Sequence, residues 1–91
     1  MERITEWTKE TLLENYKNVI AKNVKNPAVR EKAIVLAADF LKNEMFSVNA
    51  FSYKMALNVT QLFHETTGDK ELCRLELAFD DHKGFYIKTV Q

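Results

Sequence analysis

The stretch from Leu75 to Lys88 reads LELAFDDHKGFYIK, and it decides the fold class because its apolar residues recur at every second position. Leu75, Leu77 and Phe79 alternate with Arg74, Glu76 and Ala78, while Phe85 and Ile87 alternate with Tyr86 and Lys88. That is the period of strands with one buried face. Between the two runs stands Asp80-Asp81-His82-Lys83-Gly84, a polar tip whose closing glycine suits a loop residue of positive φ. The expectation is a β-hairpin with strands over about 71–80 and 85–90. An isolated hairpin is marginal in water, so its apolar face must cover other elements or add to a sheet.

Upstream of Gly68 the apolar period lengthens from two to between three and four. Leu12, Leu13, Tyr16, Val19, Ile20 and Val24 mark a first helix over about 5–24, opening at Thr5 or Thr8. Asn26-Pro27 reads as an N-cap followed by proline at the first helical position, where its missing N–H costs nothing. A second helix is expected over 27–45. It is apolar nearly all the way round its middle, from Val29 through Ala33, Ile34, Val35 and Leu36 to Leu41, which predicts a central position with neighbours on several sides. A third helix is expected from an Asn49 cap to Thr67, with Phe51, Met55, Val59, Leu62 and Phe63 as its stripe. Gly68 would follow its last turn in the left-handed conformation. The fold class is therefore α+β: a three-helix N-terminal bundle followed by a C-terminal antiparallel β-hairpin. With 91 residues and no Ser/Gly-rich linker, the expectation is a single compact domain over 1–91.

Composition narrows the function classes. Hydrophobic residues at 46% and aromatics at 11% are too many for a disordered chain. Thirteen basic residues balance thirteen acidic ones, which argues against strong non-specific attraction to nucleic acid or membrane. The opening MERITEWTKE breaks any apolar run with charges and reads as neither signal peptide nor membrane anchor. One cysteine, Cys73, leaves no internal disulfide, so a cytoplasmic protein is expected.

No motif for catalysis, cofactor or metal stands out, and none of the three is expected. Two isolated glycines cannot form a phosphate-cradling loop. His64, Cys73 and His82 are evenly spaced, yet no CxxC or HxxxH pair accompanies them. Nucleophilic chemistry at Cys73 would require a base and an oxyanion hole, and a cysteine near a strand start is expected to be a small buried hydrophobe. Asp80 and Asp81 read as turn formers.

Charge is unevenly placed. Lys17, Lys22, Lys25, Arg30 and Lys32 cluster around the turn between the first two helices and could gather at one corner of the molecule. They form either a solvated face with lysines near a helix C-terminus or a docking patch for phosphate or an acidic partner. The order helix, helix, helix, hairpin resembles a winged-helix DNA-binding domain, and Ala56-Leu57-Asn58-Val59-Thr60-Gln61 looks like the turn of a helix-turn-helix. In that reading the basic cluster holds the backbone, while Asn58 and Gln61 contact bases. Against it, the Phe51 to Phe63 stripe runs straight through the supposed turn, and residues 50–67 carry one Lys and one Glu.

Ten aromatic residues exceed what the helical stripes use, and Trp7, Tyr53 and Tyr86 fall off those stripes as candidate protein-interface anchors. The leading expectation is a small non-enzymatic protein-binding regulator or inhibitor. Its partner is another protein or a second copy, met through the hairpin edge or the first helix. Ten Lys to three Arg, with seven Asn, suggests an AT-rich coding genome, and a phage or other mobile element is a source consistent with it. A winged-helix-like nucleic-acid-binding transcriptional regulator is the alternative.

Overall fold

The computed structural model describes residues 7–42, 46–66 and 68–89. Helices α1 (Lys9–Asn23), α2 (Pro27–Leu41) and α3 (Val48–Glu65) precede a 3₁₀ turn (Leu72–Arg74) and strands β1 (Leu75–Asp80) and β2 (Gly84–Thr89). The chain thus has the expected α+β order of three helices and an antiparallel hairpin.

The helix starts follow side-chain chemistry. At α1 the Thr8 hydroxyl accepts the Thr11 N–H at 3.1 Å, and the Thr11 hydroxyl accepts the Thr8 N–H at 2.9 Å, satisfying two otherwise orphaned donors. Thr5, the other expected start, lies outside the described residues. Asn26 caps α2 through the N–H groups of Ala28 and Val29, with Pro27 at the first position as expected. The cap of α3 is Ser47 instead of Asn49, because the Ser47 backbone is extended and its hydroxyl accepts the Ala50 N–H at 3.0 Å. Both helices stop short of their expected ends at Met45 and Thr67: α2 ends at Leu41, where the Lys42 N–H turns back to the Asp39 and Phe40 carbonyls, and α3 ends at Glu65, where Thr66 is extended. The expected end of the second strand at Val90 falls outside the described residues.

The first strand starts later than expected. Residues 72–74 wind into a 3₁₀ turn, and the Asp69 carboxylate accepts the Leu72 N–H at 3.2 Å, so pairing begins at Leu75. From there the register runs from Leu75 opposite Thr89 to Asp80 opposite Gly84. Asp80 closes the turn by accepting the His82 and Lys83 N–H groups at 2.8 and 3.2 Å, bonds that hold its carboxyl below the usual carboxylate range. Gly84 takes a φ of +87°, and a Cβ there would sit 2.7 Å from the Asn15 side chain. Only glycine meets both demands.

Two helix side chains tie the hairpin edges down. The Thr60 hydroxyl accepts the Leu77 N–H at 2.9 Å on the β1 side, and Asn15 Oδ1 accepts the Phe85 N–H at 2.7 Å on the β2 side. Antiparallel pairing alternates between residues that face the partner strand and residues that face outward, and Leu77 and Phe85 both face outward. Each edge is therefore bonded to a helix, near the middle of β1 and next to the turn in β2, which limits the room for a partner strand.

Beneath the hairpin the rings form a continuous chain. Trp7 meets Phe79 at 6.0 Å between centroids, Phe79 meets Phe85 at 4.9 Å and Phe85 meets Tyr16 at 5.2 Å. Phe51 then contacts Tyr16, Phe85, Phe40 and Phe46, all edge-on or tilted. Such geometry sets the positive ring edge against a negative ring face. Tyr16 is fully buried, its hydroxyl donates to the Ala33 carbonyl at 2.6 Å, and burial pushes its phenol well above the ordinary range.

The position of α2 departs from the sequence expectation. Centrality belongs to α3, which packs on α2, β1 and the 3₁₀ turn, while α2 packs on α1 and α3 along one side. Its buried residues are Val29, Ala33 and Ala37, whose small side chains let α1 and α3 approach closely. At 100° per residue, Val35 points away from Ala33 and Ala37. The all-round apolar character of this helix is consequently spent partly on solvent.

Candidate partner-binding surface

The outward faces of α2 and α3 carry the three large hydrophobic side chains most open to solvent among the described residues: Tyr53 at 71%, Leu57 at 52% and Val35 at 49%. Two shallow depressions accompany them. One lies between the helices, where Ala28, Lys32, Val35 and Leu36 of α2 face Leu62 of α3. The other runs along α3, lined by Tyr53, Leu57, Thr60, His64 and Glu65 of that helix and by Glu76 of β1. Both are predominantly apolar concavities edged by charge, the pattern expected where a macromolecule docks.

Of the three aromatic candidates, only Tyr53 belongs to this surface. Trp7 is half-buried, with its indole N–H donating to the Asp81 carbonyl at 3.0 Å and its ring against Phe79. It acts as a lid on the hairpin turn. Tyr86 is half-buried on the outer hairpin face, opposite Ala78, with the Lys83 ammonium 5.1 Å from its ring centroid. Leu57 and Val35 were not singled out in the sequence. Leu57 falls off the Phe51/Met55/Val59 stripe, the signal by which it could have been found.

The basic residues are divided between places. Lys22 and Lys25 line a depression at the end of α1, where Arg74 of the 3₁₀ turn joins them beside Asn23 and Thr89, with Glu71 as the opposing charge. Lys32 lies instead in the α2/α3 groove. Arg30 is half-buried, and its Nε and Nη2 donate to the Val24 carbonyl at 3.1 and 2.9 Å, closing the C-terminal end of α1. Lys17 is exposed on α1. Arg74 is the addition that the sequence cluster lacked, because it comes from a distant segment.

The base-contact candidates sit on an unbroken helix. Residues 48–65 form one helix through Asn58, with no turn of a helix-turn-helix there. Asn58 is half-buried, and Gln61 is exposed with its amide donating to Glu65 Oε2 at 3.0 Å.

Cys73 is exposed in the 3₁₀ turn, not buried as expected, because that turn projects it away from the core that Leu72 enters. Its thiol donates to the Asp69 carbonyl at 3.6 Å. His64 and His82 are exposed, and among the described residues no three His, Cys, Asp or Glu side chains assemble as metal ligands. No described helix is long and apolar enough to cross a membrane. Comparison with protein-family models, with curated proteins and with solved structures finds no match.

Proposed function

We propose that this chain is a small non-enzymatic protein-binding regulator or inhibitor that docks its partner on the outward faces of α2 and α3. One observation carries the reading: Tyr53, Leu57 and Val35 stand exposed on these two helices, whereas the other large aliphatic side chains and the phenylalanines among the described residues pack in or against the shared core. Tyrosine and leucine exposed on a rigid helix lose little conformational freedom on binding and exclude much water. The test is site-specific crosslinking in cells that express the full chain, with a photoreactive phenylalanine analogue at position 53 or, as a control, at position 17. Protein adducts at 53 that are absent at 17 support the reading. Equal labelling at both positions, or none at 53, overturns it.

The nucleic-acid reading retains one supporting observation, the convergence of Arg74 on Lys22 and Lys25. It requires binding of a mixed-sequence duplex that weakens steeply with salt and is lost when Lys22 and Lys25 are reversed to Glu.

A further inference from the structure

The exposed face of α3 has a direction. Lys54 lies toward its N-terminal end and Glu65 at its C-terminal end, with Leu57 and Gln61 between them. Eleven residues separate the two charges, about 16 Å along the axis and three turns on, so both project from the same flank of the helix. Tyr53 and Leu57 fill the space beside that flank, residues 55–64 contain no Lys, Arg, Asp or Glu, and Glu76 of β1 lines the same depression. A surface of this kind is complementary to itself after a half-turn. When two such helices run antiparallel, equal flanks face each other, and the cation of each reaches the carboxylate of its counterpart. When they run parallel, opposite flanks face each other, and neither charge reaches its counterpart.

We propose that a second copy of this chain occupies the α3 face. The two α3 helices lie antiparallel about a twofold axis, with Tyr53 and Leu57 in the seam and Lys54 of each chain against Glu65 of the other. This deepens the protein-binding reading by naming the partner. Several features fit an isologous contact. The patch is self-complementary, as twofold symmetry demands, and its middle, around Leu57 and Gln61, is depleted in charge, as interface centres are. The supporting helix is continuous over 18 residues, about 27 Å, long enough for several turns of side chains to interlock. Thr60 on the neighbouring flank is bonded to Leu77, so the helix is braced by the hairpin and does not need its partner for support.

Sedimentation velocity of the purified full chain across a concentration series reads the proposal. A monomer–dimer equilibrium is expected. Leu57→Asp should weaken it by about tenfold or more, since an aspartate in the seam removes apolar contact and buries an unpaired charge. Because Leu57 is half exposed in the monomer, far-UV circular dichroism should show an unchanged fold. The decisive arm is the charge exchange. Lys54→Glu alone and Glu65→Lys alone should each weaken self-association, the double variant should restore it, and the two single variants mixed together should pair with each other. A chain that stays monomeric at millimolar concentration, or single variants that associate as the parent does, overturns the proposal. Failure of the double variant and of the mixture to recover association overturns the antiparallel pairing. A monomer that still crosslinks another protein at position 53 removes only the second copy, while absence of crosslinking removes the docking reading itself.

Discussion

The two faces of α3 meet opposite kinds of neighbour, and the contrast divides the molecule. On its inner side Phe51 meets four other rings. On its outer side Tyr53 and Leu57 meet water. Residues two apart on one helix thus serve different ends, one in cohesion and the other in contact with something outside the chain. A helix turns 200° over two residues, so a core stripe and an interface stripe can be written into one segment without competing.

The largest expected effect breaks the inner side. Phe51→Ala should cost about 3–5 kcal/mol in denaturant unfolding, since it empties a ring-filled site that cannot easily collapse. Tyr53→Ala should change stability by no more than about 0.5 kcal/mol. Similar losses at both positions would erase the distinction between the two faces.

A middle-sized effect is expected where α1 meets the hairpin. Gly84→Ala should destabilise by about 1–3 kcal/mol, because alanine resists the positive φ and its methyl would collide with Asn15. Asn15→Ala should cost about 1–2 kcal/mol through the orphaned Phe85 N–H. In the double variant the collision is gone, so the combined loss should be smaller than the sum, which a double-mutant cycle measures. Strict additivity would mean that the two positions do not share one contact.

The smallest loss expected from a core substitution concerns Tyr16. Removing its hydroxyl in Tyr16→Phe should cost about 1 kcal/mol near neutral pH, the usual net value of one buried hydrogen bond. The folded phenol holds its proton above the ordinary value of 10.0. The stabilisation it gives is complete below the unfolded value and declines as pH rises past it, since only the unfolded chain then releases the proton. Stability of the parent should therefore fall more steeply above pH 10 than that of Tyr16→Phe. Parallel profiles would mean that the phenol reaches water in the folded state.

The sequence disclosed the periods and the punctuation. Alternation over Leu75 to Lys88, the Asn26-Pro27 cap and the two glycines gave the element order and the turn at Asp80, because each rests on local chemistry. The placement of α2 was not legible, since an apolar helix looks the same whether its surplus faces the core or solvent. Only the small size of Ala33 and Ala37 hinted at which side would pack. The candidate surface was half legible. Tyr53 stood off its stripe, but Leu57 did so without an aromatic ring to draw notice, and Trp7 resembled an anchor until its indole met a carbonyl from the hairpin turn. Arg74 joined Lys22 and Lys25 only through the fold, and the ties from Asn15 and Thr60 likewise link segments far apart in the chain.

The lid at Trp7 also gives the protein an optical gauge. It is the single tryptophan of the chain, and it is fastened to the tip of the hairpin instead of lying within the helical bundle. Its emission reports whether that tip is closed, while far-UV ellipticity reports chiefly on the helices. Comparing the two signals during unfolding shows whether the hairpin lifts away before the helices melt. Quenching by a small solute measures how often the tip opens in the native state.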